Sequence, residues 1–228
     1  MYSRELVKQR FDFVKSSKTF NRIVQSFHMD QKKTLDVGCG YGEYLTVCGE
    51  GSVGVTTTED EIQYGKEVGL DIRKGNVEFI DELNIGTGFE MIWANNLFEH
   101  LLSPHAFLIR LKKISRDDTV LILGVPVIPK IVSLLRLGRF RGALASNHIS
   151  FFTRKSLMLT VEYAGWQVAE ARPFISNNSF VDRLFAIIAP HMYIVARNNS
   201  KFKYPEKKRK EWEGESHYRH LFDITDRS

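Results

Sequence analysis

The sequence predicts an α/β fold: a doubly wound, mostly parallel sheet of Rossmann-like type, closed at one side by an antiparallel C-terminal hairpin. Three observations predict it. Short apolar runs alternate with segments of helical spacing, a glycine-rich loop follows the first of those runs, and two late strands lie close enough in sequence to pair antiparallel. Four strand-then-helix units imply right-handed crossovers, which place helices on both faces of a parallel sheet.

The elements follow in order. Residues 3 to about 27 read as one helix, with Leu6, Val7, Phe11, Phe13, Val14, Phe20, Ile23, Val24 and Phe27 recurring at roughly helical spacing among basic residues. Strand "KTLDVG", helix "EYLTVC", strand "SVGVTT", helix "DEIQYGKEVG", strand "LDIRKG", strand "FEMIWAN", helix "HAFLIRLKKI" and strand "TVLILGV" come next. A helix through "FTRKSLMLTVEYAGW", a strand "WQVAEARPF", a short helical piece near "VDRLFAII" and a last strand "HMYIVAR" complete the domain. This divides the chain into an N-terminal helical extension (1–30), a domain (31–199) with an insert or lid (127–148), and a polar C-terminal extension (200–228).

A chain of 228 residues can bury one substantial core and is too short for two ordinary domains. Its hydrophobic share of 43% with 26% charged residues is that of a soluble globular protein. No apolar run approaches the roughly 20 residues of a membrane span, and the N-terminus lacks the apolar core of a signal peptide, so a cytoplasmic location is expected. Cys39 and Cys48 suit neither a structural disulfide nor a metal-ligand spacing, and no metal is expected. The net charge of +5 permits an anionic partner without demanding one.

The stretch "TLDVGCGYGEYL" puts Gly38, Gly40 and Gly42 at every second position behind Asp36. Such a loop, leaving a parallel strand, offers backbone N–H groups and lets a ligand approach the main chain. The dinucleotide fingerprint spaces its glycines differently, and the lysine of a phosphate-binding loop is missing. Asp36 and Glu43 place negative charge there, which suits a ligand carrying an amino group and a carboxylate better than one carrying phosphates.

"LDVGCGYG" resembles the first motif of the class I S-adenosylmethionine-dependent methyltransferases. The resemblance continues through "GNVEFI", "FEMIWANNLFEHLLSPHAFLIRLKKI", "VLILGVPV" and "NHISFFTRKSLMLTVEYAGW", covering about residues 33 to 197. It implies the class I methyltransferase fold and S-adenosylmethionine as cofactor. It assigns Asp36 to the cofactor's amino end, and Gly38, Cys39, Gly40 and Tyr41 to backbone contacts with its methionine part. Asn76 would bond the adenine amine and Val77 stack on the ring; Asn95 and Asn96 would line the methionine side, and His100 would close the site. Where most members end the second strand with an acid that accepts both ribose hydroxyls, this chain has Thr56, followed by Thr57. A neutral hydroxyl there weakens binding by roughly 1.5 to 3 kcal/mol unless Glu59 or Gln63 substitutes. Cyclopropane fatty acid synthases and their relatives carry a similar threonine, a "GCG" loop and a Glu-His pair like Glu99 and His100, which keeps a lipid acceptor in view.

Methyl transfer to a hydroxyl or ammonium requires loss of a proton. His148, ahead of "FFT", is the first candidate base, with capping or packing on the next helix as its other reading; Glu99 is the second candidate, or a partner of a helix dipole. The insert carries Lys130, Arg136, Arg139 and Arg141 among apolar residues, which fits a lid, a clamp on an anionic acceptor, or a membrane or nucleic-acid contact. The leading function is methylation of oxygen or nitrogen on a small-molecule or glycan-pathway acceptor. An RNA or protein methyltransferase, lowered by "NNLF" standing where amino-directed nucleic-acid enzymes carry an "NPPY"-type tetrapeptide, and a non-catalytic cofactor-binding scaffold are the alternatives.

Overall fold

The computed structural model describes residues 3–134 and 147–207. Its strands are β1 (Thr34–Val37), β2 (Val53–Thr56), β3 (Ile72–Lys74), β4 (Met91–Asn95), β5 (Val120–Pro126), β6 (Trp166–Arg172) and β7 (His191–Asn198). The helices are α1 (Arg4–Ser16), α2 (Lys18–Phe27), α3 (Glu59–Val68), α4 (Pro104–Ile114), α5 (Lys130–Leu134), α6 (Arg154–Tyr163) and α7 (Ser179–Phe185). All seven strands join one sheet in the order β3-β2-β1-β4-β5-β7-β6. The pairs from β3 to β5 are parallel, and β7 runs antiparallel to both β5 and β6.

Burial explains why the apolar runs become strands. β1, β2 and most of β4 and β5 are covered on both faces, which selects continuous apolar sequence over alternation. Successive side chains of β4 point to opposite faces: Ile92 and Ala94 join the core under α4 and α6, while Met91 and Trp93 join the core under α2. Phe20 and Ile23 of α2 pack onto Trp93 and Ile122, so the N-terminal helices close one face of the sheet. The antiparallel hairpin expected from sequence is present, with β7 inserted between β5 and the outer strand β6.

Three local expectations are corrected. The N-terminal helix is two, because Ser17 is extended and its hydroxyl accepts from Phe20 N, capping α2 as α1 ends. The segment "EYLTVC" forms only a 3-10 turn, Leu45–Val47. Gly49 lies against the backbone of Gln31 and Lys32, where a Cβ would come within 2.6 Å of Lys32 N, and the chain turns there instead of extending a helix. The C-terminal extension begins on the domain: Tyr204 is buried, its hydroxyl sits 2.8 Å from His105 Nε2, and Lys112 Nζ donates to the carbonyls of Gly165 and Asn199. Trp212, Tyr218, Leu221 and Phe222 lie outside the described residues. No helix among the described residues is long and apolar enough to cross a membrane.

Candidate active site

The glycine loop leaves β1 at the point where strand order reverses between β1 and β4, the crevice where open α/β sheets bind ligands. Gly38, Gly40 and Gly42 take φ of +76°, +56° and +83°, a region that side-chain-bearing residues enter at a cost. Gly38 N and Cys39 N both donate to Val55 O, tying the loop to the end of β2. The Cys39 side chain turns inward against Gly54 and Leu45. A Cβ on Gly40 would lie 2.5 Å from Arg10 Nη2 and 3.0 Å from Glu43 Oε2, so the space above it is already narrow.

Two buried carboxylates converge on this loop. Asp36 is 1% exposed, and its Oδ2 has no hydrogen-bond partner; burial, reinforced by Glu43, raises its carboxyl well above the usual range. Glu43 Oε1 accepts from Arg10 Nε at 2.8 Å and Nη2 at 2.5 Å, while its Oε2 is unpartnered. Arg10 also lies 5.4 Å from the centre of the Tyr41 ring. The unpartnered acceptors fit a ligand bringing an ammonium and a sulfonium, and the guanidinium fits its carboxylate. Arg10 had no signal in the sequence beyond being one of several basic residues on an amphipathic helix.

At the end of β2, Thr56 Oγ1 donates to Glu61 Oε2 and accepts from Thr58 N at 3.2 Å. Glu59 instead pairs with Lys74 at 2.9 Å, and Gln63 bonds Glu67. The acid beside Thr56 is therefore Glu61, two residues from either expected substitute, and Thr57 is exposed. Asn76 Oδ1 accepts from Glu78 N and caps the 3-10 segment Val77–Glu82, while Val77 packs into the main core. Asn95 Nδ2 donates to the Tyr44 hydroxyl at 2.9 Å, leaving a buried unpartnered Oδ1. Asn96, at φ +52°, accepts from His191 Nε2 at 3.0 Å. Tyr44 and His191 were not legible as site residues, since each lies in a pattern that reads as core.

Beyond β4 the chain makes a 3-10 turn, Phe98–His100, whose Glu99 carbonyl accepts from Ile149 N and Ser150 N, both at 3.0 Å. Those bonds bring His148 to Glu99. The Glu99 side chain is 1% exposed, and its Oε1 lies 3.8 Å from His100 Nε2 and 3.9 Å from His148 Nε2. Burial raises the Glu99 carboxyl above its ordinary value, opposed first by a hydrogen bond from its own backbone and then by the two imidazoles. His100, expected to close the cofactor site, is oriented toward this cluster, with Nδ1 3.1 Å from Asn147 O. Leu102, Ile149 and Phe151, close in the chain to His100 and His148, are exposed apolar groups. Lys130 begins α5; Arg136, Arg139 and Arg141 of the insert lie outside the described residues.

A family model described as a methyltransferase domain matches residues 7–171, a span that includes Arg10, the glycine loop and His148. A search of curated proteins finds no match. Among solved structures, the chain is similar to a TehB-like SAM-dependent methyltransferase from Corynebacterium glutamicum, at 17% identity and TM-score 0.56, covering 85% of this chain and 97% of that one. It is similar to a SAM-dependent methyltransferase from Archaeoglobus fulgidus at 20% identity and TM-score 0.55, covering 86% and 95%. It is also similar to N,N-8-amino-8-demethyl-D-riboflavin dimethyltransferase from Streptomyces davawensis at 17% identity and TM-score 0.54, covering 78% of this chain and 53% of that one. At such identities these structures establish the shared fold.

Proposed function

Because the chain belongs to the methyltransferase-domain family and is a class I, S-adenosylmethionine-dependent enzyme, we propose that it methylates an oxygen or nitrogen of a small-molecule or glycan-type acceptor. The observation that carries the acceptor side is the buried Glu99 carboxylate beside His100 and His148, on the turn that follows β4, with exposed apolar groups at Leu102, Ile149 and Phe151 close by in the chain.

When bound, S-adenosylmethionine supplies an electrophilic methyl on a sulfonium. The chain's residues would divide the remaining work. Asp36 and Glu43 would receive the amino group, Arg10 the carboxylate, Glu61 with Thr56 the ribose hydroxyls, and Asn76 the adenine, with Val77 against its face. The glycine loop leaves the backbone open to close approach, and Asn95 and Asn96 shape the wall toward the acceptor. His148, at 12% side-chain exposure, is open enough to meet an acceptor, and the Glu99 carboxylate behind it stabilises the positive charge that activation brings. The exposed apolar groups at Leu102, Ile149 and Phe151 favour a small or amphipathic acceptor over a phosphate backbone, which calls for clustered cations.

A lipid acceptor is the second reading. It is favoured by the exposed apolar side chains of Leu184, Phe185, Ile187 and Ile188, a segment joined to α5 through the Ile131 N to Ile187 O bond. Transfer of labelled methyl to fractionated extract separates the two, since label enters water-soluble small molecules in the first case and the organic phase in the second. With the acceptor so found, His148→Ala is expected to lower turnover about 100-fold with cofactor affinity unchanged. Undiminished turnover would return His148 to a packing role.

A further inference from the structure

We propose that Glu99, His100 and His148 form a divalent-cation site, of the kind that takes Zn2+, in which the ion activates the acceptor. The geometry begins with what the cluster does not do. Glu99 Oε1 stands 3.8 Å from one Nε2 and 3.9 Å from the other, beyond hydrogen-bond length, although the carboxylate is 1% exposed. Its second oxygen, Oε2, is buried without a partner. A buried carboxylate that bonds neither adjacent imidazole retains acceptor capacity that a cation would use.

The ligand atoms of the three residues lie within 4.8 Å of one another. Two ligands each about 2.1 Å from a tetrahedral ion stand about 3.4 Å apart, so the two Glu99–histidine separations close by about half an ångström, and the widest separation in the cluster by at most about 1.4 Å, to reach binding geometry. The rings are also set for it. His100 Nδ1 faces the Asn147 carbonyl, which can only accept, so Nδ1 is the donor there and Nε2 is the nitrogen left for a ligand. A ligating histidine held at its other nitrogen by a backbone carbonyl is the arrangement that fixes tautomer and ring plane at metal centres. The backbone bonds from Ile149 and Ser150 to the Glu99 carbonyl fix the third ligand relative to the first.

Two imidazoles and one carboxylate suit a borderline divalent ion, and three protein ligands leave a position open. Resting on the acceptor placement proposed above, that position takes the acceptor oxygen, and with the ion bound His148 serves as a ligand in place of its part as base. An ion-bound hydroxyl has a lowered pKa and gives its proton to water; the oxygen then forms its bond to the methyl carbon as the carbon–sulfur bond breaks and its electron pair returns to sulfur. The products are methylated acceptor, S-adenosylhomocysteine and one proton.

The test is calorimetric titration of Zn2+ into chelator-treated full-length protein without a polyhistidine tag, alongside Glu99→Gln, His100→Asn and His148→Asn. One ion per chain is expected in the wild type, bound at least tenfold more weakly in each variant, while S-adenosylhomocysteine binding stays intact and certifies the fold. No stoichiometric binding, or equal binding in the folded variants, overturns the site. Ion binding with no acceptor found would leave the site standing and count against the proposed function; full turnover in excess chelator would overturn the ion's part in the reaction.

Discussion

Asp36, proposed to receive the cofactor's amino group, is tuned against stability. Burial and Glu43 raise its carboxyl well above the ordinary value of 3.8, so the folded state holds a proton that the unfolded chain releases. Between those two pKa values, rising pH therefore costs the cofactor-free protein stability. In Asp36→Asn that cost is removed: the melting temperature at neutral pH is expected to rise, while S-adenosylmethionine affinity falls at least tenfold. Thermal melts across pH and calorimetry check both, and a variant less stable than wild type at every pH would contradict the assignment. At this scale the sequence was partly legible. The glycines and Asp36 announce themselves by spacing, and Thr56 by its departure from an acid. Which nearby acid compensates was not, because Glu59, Glu61 and Gln63 all lie at the start of α3 and only the helix's orientation turns Glu61 to Thr56.

Elements deliver those residues. Ser17 ends α1 and caps α2, so α2 lies on Trp93 while α1 turns Arg10 over the glycine loop. The apolar spacing runs on through Ser17, which is why sequence reads one helix; the break depends on a local side-chain bond that periodicity does not register. Because Arg10 meets Glu43 above the loop, α1 acts as a cover carrying a cation. Arg10→Ala is expected to weaken S-adenosylmethionine at least tenfold in equilibrium titration, and to cost stability as well, because it leaves the buried Glu43 carboxylate without its cation. Unchanged affinity would reduce α1 to a structural cover. The 3-10 turn after β4 works in the same way, with one carbonyl gathering the segment that carries His148.

For the whole molecule, the order of apolar runs was enough to give the parallel sheet and its late hairpin, because a strand buried on both faces must be apolar throughout. Meetings across the sheet were less legible. Glu99 and His148 appear separately in the sequence, and their juxtaposition follows only once β5 and the segment before α6 are placed. The docking of Tyr204 was hidden by the charged residues around it, which make the segment read as an extension. Tyr204→Ala is expected to lower unfolding free energy by about 3 kcal/mol in urea denaturation, and a loss under about 0.5 kcal/mol, as at an ordinary surface position, would mean the tail contributes little. The central claim is that the glycine loop cradles S-adenosylmethionine, and calorimetry with S-adenosylhomocysteine tests it most directly. The account predicts one site per chain in the wild type and none in a folded Gly40→Val variant, whose side chain would start 2.5 Å from Arg10 Nη2 at φ +56°. Absence of binding to the folded wild type, or full binding by the variant, would contradict it.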